Sequence, residues 1–488
     1  MLKKILILLI FCGLHLCQDG DEPTKLYRLF TKTHYMLSRQ LDDFDGFMKI
    51  KNDDQFQPAT DKFLHMYGNF RHGSRYPSHS DPGNAQKALD KLAGKIPNEL
   101  YEKLNTVLQN MRSVPSCMLS PSGREEHRMI GDEYGQIFAH LYQTIGSDRK
   151  PKPKDLKEED FVFGHTDFER AITSMRGFMD GFLPKAQSVG VNYTGQPKNV
   201  NRFLRFYTVC QLYITTVAKN NQTKVEKNKF MKAKLPVILK TVRENFNAPN
   251  LDWTDGDVHA WGSISGMELA INRTATWVKY LDSPDNHVLE LMEYATDLSA
   301  YWWKGPGNKI NYQMACEVIV EMIRLFDSIL AGKSQELGRF YFSHAETLIP
   351  LLNILGLFRG DPPLKHDQFE QNKNREFKTT RMSPFATNFV IVLFYRGQKM
   401  SLETAFVQLY FKGKPYYFPY CGKKSICKYS ILRGFLEEYL TDCKVDVDTE
   451  DCKYMPAKGF SSEIRKLKIR DLICTLVIAR FALSEVMS

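Results

Sequence analysis

Two short clusters carry residues that could do chemistry. The first reads Arg71-His72-Gly73-Ser74-Arg75-Tyr76-Pro77 and the second Ser343-His344-Ala345-Glu346. Hydrolysis of a phosphate monoester without a metal needs a nucleophile, fixed cations around the phosphoryl oxygens and an acid for the leaving alcohol. A neutral imidazole at His72 can attack phosphorus and carry the phosphoryl group until water removes it. Arg71 and Arg75 flank it with guanidinium forks that match phosphate oxygens. Gly73 lets the backbone pass close to the bound group, and Pro77 stiffens the exit. In the second cluster His344 is expected to contact the phosphoryl oxygens. Glu346 is expected to protonate the departing oxygen and later to accept a proton from water. That task calls for a carboxyl held neutral by burial or by nearby anions.

These clusters need elements that place them side by side. Phe63-Leu64-His65-Met66-Tyr67 reads as a short strand running into the first cluster, and Gly338-Arg339-Phe340-Tyr341-Phe342 as a strand running into the second. A helix is expected over Thr347 to Phe358. Ligands of open α/β sheets collect outside the carboxyl ends of strands, so the two loops can face one pocket although far apart in sequence. Between them, residues 122 to 143 have helical periodicity, and Phe161-Val162-Phe163 reads as a second short strand with a helix starting near Asp167. From about 197 to 330 the pattern is helical almost throughout. Residues 387 to 395 and 403 to 411 are further strand candidates. Strands thus bracket a helical insertion, which predicts an α/β fold with helices on the faces of a sheet.

The pattern of the two clusters, with Arg-His-Gly-x-Arg-x-Pro after a strand and a distant His-Ala-Glu opening a helix, resembles the histidine acid phosphatases. Most members carry His-Asp at the second site, and His-Ala-Glu is the form of the multiple inositol polyphosphate phosphatases. Phe168-Glu169-Arg170-Ala171-Ile172-Thr173-Ser174, with Phe178 and Gly181, is similar to the family segment whose arginine is a third phosphate clamp, which implies that role for Arg170. Leu204 to Cys210, Tyr301-Trp302-Trp303-Lys304-Gly305, His344 through Leu352 and Pro384 to Phe389 also resemble subfamily segments in the same order. The resemblance covers essentially the whole chain after its first residues. It implies a phosphoglycerate-mutase-like α/β sheet flanked by helices, with an inserted helical cap. On that division residues 18–183 and 325–488 form the two parts of the phosphatase domain and residues 184–324 the cap. Substrates implied are inositol hexakisphosphate and lower inositol phosphates, with 2,3-bisphosphoglycerate as a further candidate. The alternatives are a broad acid phosphatase for small phosphomonoesters and a non-enzymatic glycoprotein that binds polyanions. Ser74 stands where threonine is common in the family.

Other features are weaker. Arg205 and Lys304 could extend a basic pocket to further phosphates, although helical surface charge explains such residues as well. His65, His79 and His165 read as packing or surface histidines, and Trp302 and Trp303 as packing. Gly332-Lys333-Ser334 lacks the earlier glycine of a phosphate-binding P-loop, with Asp327 in its place, and it precedes a strand. No HExxH or carboxylate-rich metal loop occurs, so neither a metal nor another cofactor is expected.

Composition sets the compartment. The chain has 488 residues, 43% hydrophobic and 25% charged, within the range of ordinary globular proteins. Residues 1–17 read as a signal peptide, with Lys3 and Lys4 before the apolar run Ile5 to Leu16, which is too short to span a bilayer comfortably. Asn192, Asn221 and Asn272 each open an Asn-x-Thr glycosylation acceptor. Of ten cysteines, Cys421, Cys427, Cys443 and Cys452 are spaced for disulfides, and none forms a CxxC pair. The run Leu472 to Leu483 reads as a packed element rather than a membrane tail. The chain ends Ser484-Glu485-Val486-Met487-Ser488, unlike the Lys-Asp-Glu-Leu type of retention tail in vertebrate members, so export is expected. Net charge is +10, or +8 once Lys3 and Lys4 are removed, a modest excess that favours anionic partners but that solubility alone explains more readily. A secreted or lumenal protein with no nucleic-acid partner and no stable membrane insertion is the result.

Overall fold

The computed structural model describes residues 27–44, 56–145, 160–283, 287–359, 362–422 and 424–442. The signal segment, the linker at residues 150–154, Cys443, Cys452 and the run at 472–483 lie outside them. The strands are β1 (Asp61–Arg71), β2 (Phe161–His165), β3 (Lys198–Asn199), β4 (Gly338–Ser343), β5 (Asn388–Arg396), β6 (Ala405–Phe411), β7 (Lys414–Tyr416) and β8 (Ile426–Lys428). They form one sheet in the order β3-β2-β4-β1-β5-β6-β7, with β8 also paired to β6. The half β3-β2-β4-β1 is parallel, and β5 onward is antiparallel. The fold is therefore mixed α/β with a central sheet flanked by helices, as the sequence predicts.

The central strands are near-continuous apolar runs because both sheet faces are covered. On one face Phe63, Phe70, Phe138, Phe161, Phe163, Phe178, Phe182, Phe340 and Phe342 make an aromatic layer under helices Pro121–Tyr142 and Glu169–Ser188. Each such ring buried contributes about 2–3 kcal/mol. On the other face Tyr67, Leu348, Ile349 and Ile391 belong to a core that continues among helices Val225–Phe246, Asp255–Asn272 and His287–Trp303. Helices Ser80–Asp90 and Asn98–Arg112 join that layer: Trp253 Nε1 donates to Ala88 O (2.9 Å) and Trp277 Nε1 to Leu104 O (3.3 Å).

Topology then fixes the site. Arg71 pairs with Ser343, His165 with Phe342 and Phe70 with Asn388, so the carboxyl ends of β1, β2 and β4 and the start of β5 lie along one edge. The helix after β4 spans Ala345–Ile354, beginning earlier and ending sooner than the apolar pattern suggests, because His344 itself occupies the N-cap position. The strands at β3, β7 and β8 are two or three residues long and leave no alternation to read.

Candidate active site

Backbone hydrogen bonds lock the two clusters together before any side chain is considered. His72 N donates to Ser343 O (2.9 Å), Arg71 N to Thr387 O (2.8 Å), Ala386 N to His72 O (3.0 Å) and Thr166 N to Phe342 O (3.1 Å). The ring centroids of His72 and His344 are 5.5 Å apart in an edge-to-face arrangement. His72, Arg71 and His344 are all buried.

His72 Nδ1 lies 2.9 Å from Gly73 O. A carbonyl only accepts, so Nδ1 carries the proton and Nε2 keeps its lone pair. Burial, reinforced by Arg170, Arg71, His344 and Arg75, holds the imidazole pKa well below its ordinary value. The ring is therefore neutral in mildly acidic as well as neutral solution. His344 is held in the neutral form in the same way, by burial and then Arg170, against the opposing pull of Glu346. Its Nε2 meets Thr166 Oγ1 at 3.0 Å and its Nδ1 meets Arg170 Nη2 at 3.5 Å. A guanidinium only donates, so Nδ1 here accepts from Arg170 and Nε2 carries the proton toward Thr166 Oγ1; because the Thr166 hydroxyl can also donate, it equally supports the other neutral tautomer, with the proton on Nδ1 available to an anion.

The arginines surround this pair. Arg71 Nη1 donates to the carbonyls of Thr31 (2.7 Å) and Ser383 (2.5 Å), and Arg75 Nη1 to Tyr76 O (2.8 Å). Arg170 and Arg205 both lie on the Phe168 ring, at 4.5 and 4.6 Å from its centroid. Arg71 Nε, Arg75 Nε and Arg170 Nε are buried without a hydrogen-bond partner among the described residues. Three guanidiniums crowded together with donors unspent are a costly arrangement that a bound oxyanion relieves. Burial, together with Arg75 and Arg170, accordingly makes the Arg71 charge less favourable, with Glu346 opposing.

Glu346 differs from its sequence expectation. Burial alone would raise its carboxyl, but the Lys304 ammonium at 2.8 Å, the hydrogen bond it makes and His344 together hold it well below the usual carboxylate range. The carboxyl expected to be neutral is thus an ion-paired carboxylate. Lys304, expected at a secondary subsite, is the partner.

Sequence reasoning missed the supports of the first cluster. Glu126 accepts from Ser74 N (2.7 Å), Ser74 Oγ (3.0 Å) and Tyr35 N (3.0 Å), and pairs with His34 Nε2 (2.8 Å). Burial would raise its pKa, but these partners bring it down to about 2. His127 Nε2 meets Arg71 O at 3.0 Å, and Ser174 Oγ accepts from Gly73 N at 3.0 Å. A Cβ on Gly73 would lie 2.3 Å from Gly123 O, so this glycine is needed first for the approach of the Pro121–Tyr142 helix. Lys32 was missed too. Burial and then Arg75 lower its amine to about 7, with Asp81 opposing and Arg71 adding to the fall.

Of the remaining sequence candidates, His65 pairs with Glu336 (3.1 Å) inside the fold, and His165 Nδ1 meets Thr166 O (3.0 Å). Trp302 Nε1 donates to Leu364 O (3.1 Å), while Trp303 carries Lys304 at 5.0 Å from its ring centroid. Asn192, Asn221 and Asn272 are exposed. Cys421 and Cys427 form a disulfide. Among the described residues no helix is long and apolar enough to cross a membrane, and no group of three or more His, Cys, Asp or Glu could hold a metal ion.

The sequence matches the family description "Histidine phosphatase superfamily (branch 2)" over residues 69–412. It is 25% identical over 427 residues to multiple inositol polyphosphate phosphatase 1 of Gallus gallus, covering 82% of this chain and 87% of that one. The Homo sapiens protein of the same name is 26% identical over 361 residues, covering 71% of this chain and 70% of that one. A phytase from D. castellii shares the fold with a TM-score of 0.62 at 14% identity, over 84% of this chain and 85% of that one. The multiple inositol polyphosphate phosphatase of Bifidobacterium longum, in complex with inositol hexasulfate, aligns with a TM-score of 0.55 at 14% identity, over 86% of this chain and 97% of that one.

Proposed function

The chain belongs to branch 2 of the histidine phosphatase superfamily, and on that premise we propose that it hydrolyses inositol polyphosphates through a phosphohistidine at His72. The observation that carries this reading is the convergence of Arg71, Arg75, Arg170 and His344 on one neutral imidazole whose Nε2 lone pair is free to attack. The names of the relatives direct the choice of substrate class.

In the first step Nε2 of His72 bonds to phosphorus while the ester P–O bond breaks, and the leaving oxygen takes the proton of Glu346. Charge on the phosphoryl oxygens is balanced by Arg71, Arg75, Arg170 and a proton on His344 Nδ1. In the second step water attacks phosphorus, gives a proton to the Glu346 carboxylate and frees the His72 nitrogen. Arg205, beside Phe168, extends positive charge toward further phosphates of the ligand.

A secreted or lumenal site of action goes with this reading. It is supported by the basic-then-apolar start at residues 1–17, the exposure of Asn192, Asn221 and Asn272, and the Cys421–Cys427 disulfide. Glycans at the three asparagines are part of the proposal.

The test is the product profile of purified protein on inositol hexakisphosphate, resolved by ion exchange. Successive lower inositol phosphates are expected. Release confined to small monoesters such as nitrophenyl phosphate would instead favour the broad acid phosphatase. Lys32 supplies a finer prediction. Its amine is charged below about 7 and neutral above, so affinity for a polyanion should weaken as pH rises through that value. Lys32→Ala is expected to raise KM for inositol hexakisphosphate about three- to tenfold at pH 6 and to remove that pH step, with a smaller effect on nitrophenyl phosphate. An unchanged pH step in the variant would remove Lys32 from the binding site.

A further inference from the structure

The Lys304–Glu346 pair sits on a boundary. On one side is the phosphoryl cup. On the other, Lys304 lines a cavity of about 230 Å³ in the helical layer, whose wall is largely apolar and includes Trp303 and Met292, with Lys227, Asp255 and His259 as its other charged or titratable groups and Thr31 at its edge. Thr31 also belongs to both sides, since its carbonyl holds Arg71. Lys227 in this cavity is paired with Asp255 at 2.9 Å.

An ammonium 2.8 Å from the carboxylate opposes the protonated state that a general acid needs. A ligand filling the cup alone brings no anion into the neighbouring cavity to compete for Lys304. A second phosphate entering that cavity does compete, because a phosphate dianion attracts the ammonium more strongly than a single carboxylate does. Its own charge also favours a proton on Glu346. We propose that Lys304 makes Glu346 competent as an acid only when the substrate carries a second phosphate adjacent to the one being cleaved, so that polyphosphorylated alcohols are turned over in preference to alkyl monophosphates. This deepens the phosphatase reading and rests on it.

The chemistry balances in either case. The proton that reaches the leaving oxygen comes from Glu346 and returns to it from the attacking water, so Lys304 neither gains nor loses one. Lys304 is a positioning and specificity-determining residue. Several other groups act on Glu346 from the surrounding elements: His344 on its own loop, Arg71 from the first cluster, Lys32 from the N-terminal segment and Arg170 from the Glu169–Ser188 helix. Tyr207 and Tyr213 act on it from the cap. None of these changes between the two substrate classes unless the second phosphate reaches it. Lys304 is the one that the cavity exposes directly to that phosphate.

The first test needs no variant. The dependence of kcat on pH is compared for cyclohexyl phosphate and trans-cyclohexane-1,2-diyl bisphosphate, which share a leaving group of similar basicity. A depressed acid loses its proton at lower pH, so the basic limb should lie at least one pH unit lower for the monophosphate. The second test uses Lys304→Met, which keeps the apolar stem against Trp303. Each unit of proton affinity regained by Glu346 multiplies its protonated fraction tenfold. The variant should therefore turn over cyclohexyl phosphate about tenfold faster than wild type, with the basic limb moved up, while kcat/KM for the bisphosphate falls. Lys304→Arg, which can keep a carboxylate ion pair, should leave the monophosphate limb low. Coincident limbs for the two substrates in active wild-type enzyme would overturn the inference while the phosphatase reading stood. Parallel losses on both substrates in Lys304→Met would do the same. Failure to release phosphate from any of these esters, nitrophenyl phosphate included, would contradict the phosphatase reading itself.

Discussion

Replacing His72 with alanine is expected to reduce kcat for phosphate release by roughly 10⁴- to 10⁶-fold, the scale on which hydrolases lose activity with their nucleophile. The expectation follows from how the ring is held. Its Nδ1 proton is committed to Gly73 O at 2.9 Å, which leaves Nε2 as the attacking atom. Burial and the surrounding cations keep the ring unprotonated. Because that pKa is lowered, protonation silences the nucleophile only at pH well below 6.5, and kcat/KM should show no acid limb at the ordinary imidazole value. The backbone bonds from residue 72 to Ser343 and Ala386 do not involve the ring. Alanine should therefore keep the far-UV circular dichroism spectrum. Retained turnover in a folded variant would remove His72 from the reaction.

Glu346→Gln should discriminate between leaving groups. Loss of a general acid costs about 10²- to 10⁴-fold where the departing alcohol is a poor leaving group. An inositol alkoxide is such a group, and nitrophenolate leaves without help. The first-turnover rate on inositol hexakisphosphate is thus expected to fall by that factor, while the rate of nitrophenol release in the first turnover falls less than about tenfold. Glutamine can still accept from Lys304, so the change is confined to the proton. Equal slowing of both first turnovers would show that Glu346 has another role.

Much of this site was legible in the sequence because its chemistry is written in local runs. Arg71, His72 and Arg75 share one loop, and His344 and Glu346 share another. Strand-like residues before each loop were enough to predict that both lie at one sheet edge. Arg170 was reached only through resemblance, since an arginine near the start of a helix has no distinctive local signal. What stayed hidden depends on pairings between distant segments. Glu126 reaches Ser74 from the Pro121–Tyr142 helix, Thr166 reaches His344 from the end of β2, and Lys32 enters from the N-terminal segment. The charge state of Glu346 was misjudged for the same reason: its partner, Lys304, follows directly on helix His287–Trp303, and no spacing announces a contact at 2.8 Å. The antiparallel half of the sheet was visible as apolar runs at β5 and β6, but its direction is set by register with β1, which a single sequence does not display.

The proposed mechanism stands on a covalent bond between phosphorus and His72. The most direct measurement uses the Glu346→Gln protein, in which the base for the second step is missing and nitrophenyl phosphate can still phosphorylate the enzyme. After mixing, an alkaline quench preserves phosphohistidine for peptide mapping by mass spectrometry. A burst of nitrophenol accompanied by phosphate attached to His72 is expected. Nitrophenol release with no phosphorylated residue, or with phosphate on any side chain other than His72, would contradict it.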